Sequence, residues 1–234
     1  GLGYPDSVSF GTNSSVILHL KKAMLSGTNY LLQLSGITDI LGNSTPMQSL
    51  SFSYFIPGPM DVLINEIFPD PSPVLGLPEY EFVELYNRSD FPVNLENWSF
   101  ADEGTEVKLP VYLLMPDSFV ILCTPAAKSH YESFGSVLKL PISASLLNNS
   151  GDKLSLRDAL GKSINELEYS DSWYLDAGKK DGGYSLEMIN PHCTCQKTSN
   201  NWKASEDQSG GTPGKRNSVY NLTPDLVKPK IISA

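Results

Sequence analysis

Alternation of apolar and polar residues with a period of two runs through most of the chain. It constrains the fold more than any other feature, because strand side chains project to opposite faces in turn, whereas a helix needs a repeat near 3.6. Val16, Leu18 and Leu20 alternate with Ile17, His19 and Lys21; Tyr30, Leu32 and Leu34 follow; Leu50, Phe52, Tyr54 and Ile56 alternate with Ser51, Ser53 and Phe55. Between them, Ser26-Gly27-Thr28-Asn29 and Gly42-Asn43-Ser44-Thr45-Pro46 supply positive φ and local hydrogen bonds, so both are turns. Ile56-Pro57-Gly58-Pro59 ends the pattern, since two prolines remove ladder donors. A domain boundary is expected there. The three or four strands before it are too few for a sandwich, which needs about seven, so residues 1–57 are expected to be an incomplete domain.

Beyond the boundary, strands are predicted over residues 62–67, 80–86, 95–100, 119–123, 153–157, 164–169 and 184–188, punctuated by Asp102-Glu103-Gly104, Asn148-Asn149-Ser150-Gly151 and Asp181-Gly182-Gly183. Proline-rich residues 69–78 are expected to form a long exposed loop. Only residues 126–134, following Pro125, suit a short helix. The spacing therefore predicts an all-β chain.

The residues that carry a family resemblance are Ile64-Asn65-Glu66-Ile67, Tyr80-Glu81-Phe82-Val83-Glu84-Leu85-Tyr86-Asn87 and Leu95-Glu96-Asn97-Trp98-Ser99-Phe100. Gly151-Asp152-Lys153-Leu154-Ser155-Leu156, Gly183-Tyr184-Ser185-Leu186-Glu187, Asn201-Trp202-Lys203-Ala204-Ser205 and Gly210-Gly211-Thr212-Pro213-Gly214-Lys215-Arg216-Asn217 continue it. In this order they resemble the lamin tail domain in its bacterial form, over residues 61–217. Residues 30–55 look like the closing half of a bacterial Ig-like repeat, and residues 225–234 like the opening of another. The resemblance implies an immunoglobulin-like β-sandwich over residues 58–219, preceded by a partial Ig-like domain at 1–57 and followed by a linker and the start of a further repeat at 220–234. It also implies an extracellular or cell-surface location in a multidomain bacterial protein. Such modules present loops, space or tether neighbouring domains, or recognise a protein or glycan beside a secreted hydrolase or nuclease, and the family offers no catalytic residues to carry over.

Charge narrows the partners. A net charge of −9, with the basic pairs Lys179-Lys180 and Lys215-Arg216 flanked by glycine and acid, argues against nucleic acid. No apolar run is long enough to insert in a membrane, and the polar start is no signal peptide, so an export signal is expected outside this sequence. Unpaired strand edges could make dimers of the isolated fragment. No cofactor is expected. Three cysteines, Cys123, Cys193 and Cys195, allow one disulfide, for which Cys123 with one of the later pair is a candidate; His192 beside Cys193-Thr194-Cys195 lacks the spacing of a zinc site. Asp102, Glu103 and Asp152 do not form a spaced set of calcium donors.

The rival reading is a weak hydrolase built on Glu66, Glu79, Glu81 and Glu84, since paired carboxylates can divide acid and base roles. Parity opposes it: Glu79 and Glu81 share the face of Val83 and Leu85, and Glu84 that of Phe82 and Tyr86. Val83 and Leu85 are expected inward, with Glu84 outside or paired to a cation. His19, His130 and His192 suggest no triad, and residues 209–215 lack the spacing of a phosphate-binding loop, so a corner closing the domain is expected there. Trp98 is expected in the core. Trp173 and Tyr174, in a polar context and together with Asp70 and Leu75 of the proline-rich loop, are the candidate binding edge, although the burial tendency of indole favours packing for the tryptophan.

Overall fold

The structure, a computed structural model, describes residues 1–12, 15–142, 145–193 and 198–223. Cys195 and the repeat expected at 225–234 lie outside the described residues. The chain divides into two compact units, Gly1–Pro57 and Gly58–Ala234.

The first unit is two antiparallel hairpins. Strand β1 (Ser7–Phe10) pairs with β2 (Val16–His19), and β3 (Thr28–Leu34) with β4 (Gln48–Tyr54). Tyr30 stacks on Phe52 with ring centroids 5.7 Å apart. Among the described residues of this unit no side chain is buried, and Phe10, Leu31 and Leu50 stand in solvent. Four strands make two ribbons but no closed core, because a single hairpin can hide only one face against one neighbour.

The second unit is an all-β, Ig-like sandwich. Its strands are β5 (Val62–Phe68), β6 (Phe82–Asn87), β7 (Val93–Asn94), β8 (Ser99–Ala101), β9 (Glu106–Lys108), β10 (Leu113–Leu114), β11 (Phe119–Cys123), β12 (Val137–Lys139), β13 (Gly151–Arg157), β14 (Ser163–Ser170), β15 (Leu186–Met188) and β16 (Trp202–Ala204). One sheet has the order β12-β11-β6-β5-β15-β16, the other β14-β13-β8-β9, and β7 pairs with β10 in a small ribbon. In β13, Asp152, Leu154 and Leu156 are buried while Lys153 is exposed, the alternation of a sheet with one wet face. Strands β5 and β6 differ, for every residue in them is buried. Their sheet is therefore covered on both sides. One side presents Ile64, Ile67, Val83 and Leu85, and lies where β5 meets β14: Asn165 Oδ1 accepts from the Ile64 amide at 3.0 Å. The other presents Phe68, Phe82 and Ile121 to Leu77 and to Tyr131 of α1 (Lys128–Tyr131).

Three local differences from the sequence expectation have clear causes. The strand expected at 95–100 breaks between β7 and β8 because Asn97 is left-handed at φ 62°, which no strand can continue through. The helix expected at 126–134 contracts to α1, with turns on both sides. Cys123 is a free, buried thiol among Phe82, Ile121 and Tyr131, while Cys193 is disulfide-bonded; the bridge expected from Cys123 is not formed, since β11 points its sulfur into the core. Among the described residues no helix is long and apolar enough to cross a membrane.

Candidate functional site

Glu84, Glu66 and Glu187 stand side by side across β6, β5 and β15. The strand register pairs Glu66 with Glu84 and Glu187 with Glu66, and directly paired residues project from the same face. All three are 0% exposed. The register shift between Ile64 and Glu66 contributes: Asn65 bulges out of the β5–β6 ladder, and this re-aims Glu66 toward the side of Glu84. The row is expensive in isolation, because like charges placed opposite one another repel and an unpaired buried carboxylate loses its hydration.

What offsets that cost is a strap, residues 211–219, lying over the row. Glu66 Oε1 accepts from the Thr212 amide at 2.8 Å and from Ser185 Oγ at 2.6 Å, and its Oε2 lies 3.4 Å from Thr212 Oγ1. Glu84 Oε2 accepts from the Gly214 amide at 2.5 Å, and its Oε1 from Asn65 Nδ2 at 3.0 Å. Glu187 Oε1 accepts from Thr212 Oγ1 at 2.8 Å, and its Oε2 from Ser218 Oγ at 2.7 Å and the Val219 amide at 3.1 Å. Asn217 fixes the strap from its own end: its Nδ2 donates to the carbonyls of Asn65 at 3.0 Å and Met188 at 2.8 Å, and its Oδ1 accepts from Asn65 Nδ2 at 2.8 Å. Among the described residues every buried side-chain nitrogen and oxygen has a partner.

The glycines of the strap make this approach possible. A Cβ on Gly211 would lie 2.7 Å from Glu66 Oε1, and one on Gly214, whose φ is +80°, would lie 2.0 Å from the Phe134 carbonyl. The glycine-rich loop does present its amides to acidic groups, but those groups are the protein's own glutamate side chains. That explains why the corner is rich in glycine without having the spacing of a phosphate loop.

Among the described residues the donors to the row are amides and hydroxyls, and none is a cation. Burial first, then the charges of Glu84 and Glu187, push the Glu66 carboxyl well above its ordinary value, against the bonds from Ser185 and Thr212. Burial likewise pushes Glu84 up to about 8, with the Gly214 amide and Asn65 opposing and Glu187 adding to the rise. The expectation that Glu84 lies outside or pairs with a cation is thus overturned. Val83 and Leu85 do face the sandwich interior, but the sheet's second face is covered as well.

Glu79 and Glu81 do not join the row. Glu79 accepts from Ser72 Oγ at 3.2 Å, and Glu81 holds the Leu146 and Leu147 amides at 2.5 and 3.1 Å. Neither histidine of this unit reaches it, since His130 packs on the Tyr80 ring and His192 is exposed, and within the first unit His19 bonds Ser9. Glu66 and Glu84 combine burial with raised carboxyl pKa values, as a general acid does, but neither side chain is exposed to solvent. Among the described residues no three His, Cys, Asp or Glu side chains are placed to hold a metal ion.

The expected binding edge is taken apart by the fold. Trp173 is 8% exposed and packs against Trp202 at 6.1 Å, and buried Tyr174 donates to the Tyr184 carbonyl at 3.0 Å. A single 3-10 turn, Asp171–Tyr174, begun by Ser170 Oγ accepting from the Ser172 amide, folds the pair inward, so they form no exposed aromatic platform. Asp70 accepts the Gly183 amide on its carbonyl at 2.8 Å, which pins part of the proline-rich loop to the body of the domain. Leu77 is buried, whereas Val74 and Leu75 at the tip remain exposed. Trp98 is in the core.

Sequence reasoning found Glu66 and Glu84 but not their partners Glu187, Thr212, Ser185 and Ser218. The signal was present: three glutamates each sit inside an aliphatic strand, and one glycine-rich segment holds spare amides and hydroxyls.

No curated protein matches this chain. The family model of the lamin tail domain matches residues 57–171, a span that holds Glu66 and Glu84 but ends before Glu187 and the strap. Over residues 57–171 the chain belongs to the lamin tail domain family, a family of Ig-like, non-catalytic domains.

Proposed function

We propose that the chain works as a non-catalytic module of a multidomain surface or secreted bacterial protein, spacing or tethering its neighbours and presenting loops. The observation that carries this reading is the closed glutamate row: the acids best suited to chemistry are spent on holding the strap to the sheet. The disulfide at Cys193 supports an oxidising, extracytoplasmic location. Turnover by the purified chain is the test, using a panel of esters, phosphodiesters and glycosides. No hydrolysis above background is expected; activity that disappears in Glu66→Gln or Glu84→Gln would overturn the proposal.

A second reading, recognition of a protein or glycan beside a secreted hydrolase, is favoured by one feature, the exposed apolar tip Val74-Leu75 on a pinned loop. Binding of the chain to a glycan array or surface extract that weakens in Leu75→Ser supports it, and binding indifferent to that change removes it.

A further inference from the structure

We infer that the glutamate row and residues 211–219 form a proton-operated latch, in which the strap is held down while the row carries protons and lifts from the sheet as they are removed. This goes beyond the spacing role, because it gives the domain a second local state.

The geometry supplies both halves of the latch. The strap meets β5, β6 and β15 through five donors to carboxylates, namely the amides of Thr212, Gly214 and Val219 and the hydroxyls of Thr212 and Ser218. These are neutral dipoles, adequate for a row that shares protons and inadequate for three full charges in adjacent strands. When Glu66 holds a proton on Oε2, that proton can point to Thr212 Oγ1, whose own proton goes to Glu187, so the hydroxyl is correctly wired only in the protonated state.

The charged groups around the row do not relieve it. Lys203 of β16 is the register partner of Glu187 and so continues the row, but its ammonium is paired with Glu206 at the surface. In the strap, Lys215 turns to Asp207 at 3.4 Å and Arg216 lies over the Tyr220 ring at 4.5 Å. From α1 comes only the phenol of Tyr131, whose ionisation Glu66 opposes, and β11 contributes Ile121 opposite Glu84 and the buried thiol of Cys123 beyond it. With no cation among the described residues to take up the charge, ionisation of the row draws water to it, and water enters where the cover is a short segment of irregular backbone. The raised carboxyl of Glu84 places the opening near neutral to mildly alkaline pH.

Hydrogen exchange read by mass spectrometry on the whole chain at pH 6 and pH 9, corrected for the intrinsic rate, tests this. Protection across residues 211–219 is expected to fall by about tenfold or more while that of β13 and β14 changes by less than about threefold. Glu66→Gln, or Glu187→Gln if the first does not fold, is expected to keep the strap protected at both pH values. Unchanged strap protection in the parent chain overturns the latch. So does an equal loss from strap and sandwich, which would mean global melting, and so does a variant that opens as the parent does.

Discussion

Substituting Glu66 by Gln separates the two energies that the row combines. The amide oxygen can replace Oε1 and keep the bonds from Thr212 and Ser185, while the amide nitrogen replaces Oε2 and donates toward Thr212 Oγ1 as a protonated acid would. The variant is thus a fixed copy of protonated Glu66. The folded-state carboxyls of Glu66 and Glu84 titrate above their unfolded value of 4.5, so the native state holds more protons than the unfolded state from there up to about 8. Their contribution to stability is complete below the unfolded value and is lost as pH rises through the folded one. For Glu84 the displacement from 4.5 to about 8 amounts to on the order of 5 kcal/mol of preference for the protonated form. Replacing Glu66 removes its own burial cost and its repulsion with Glu84 and Glu187, and is expected to gain about 2 kcal/mol at pH 9, a rise in Tm of about 4–8 °C for a domain of this size, with a change below about 1 kcal/mol at pH 5. Thermal unfolding followed by circular dichroism from pH 5 to pH 9 reads both. A loss of stability that is the same at every pH would refute the reasoning, because it would show that the strap binds an ionised Glu66.

Other substitutions probe the closure and the core. Gly214→Ala forces a Cβ against the Phe134 carbonyl at a left-handed position and is expected to cost about 3 kcal/mol or more, read by denaturant unfolding or by loss of folded yield. Trp173→Ala, which would be silent if the indole were exposed, is expected to lose about 3–5 kcal/mol by opening a cavity beside Trp202, seen as a lower midpoint in urea. The thiol of Cys123, buried and pushed up to about 11, is expected to resist a thiol reagent in the native protein and to react once it is denatured.

The parts of this fold that were legible in the sequence are those decided by neighbours along the chain. Phe119–Cys123 is a strand because five consecutive residues suit a sheet buried on both sides, and it was predicted to the residue. The inward parity of Val83 and Leu85 followed from the period of two. The environment of Glu84 did not, because its cover comes from Gly214, 130 positions further on, and strand parity describes one sheet but not what lies on top of it. Glu66 likewise depends on Thr212, 146 positions away. The break at Asn97 was hidden because Leu95-Glu96-Asn97-Trp98 keeps a mixed apolar and polar pattern, and hydropathy does not record a left-handed φ. Trp173 was assigned to a possible edge because its neighbours are polar, yet those same polar residues make the turn that buries it.

The protonation of the row can be observed directly by following the carboxyl carbon shifts of Glu66, Glu84 and Glu187 by NMR, with each residue identified from its Gln variant. The account predicts that Glu66 titrates well above its ordinary value and that Glu84 titrates near pH 8. Glu66 and Glu84 both titrating near the ordinary value of 4.5 would contradict it.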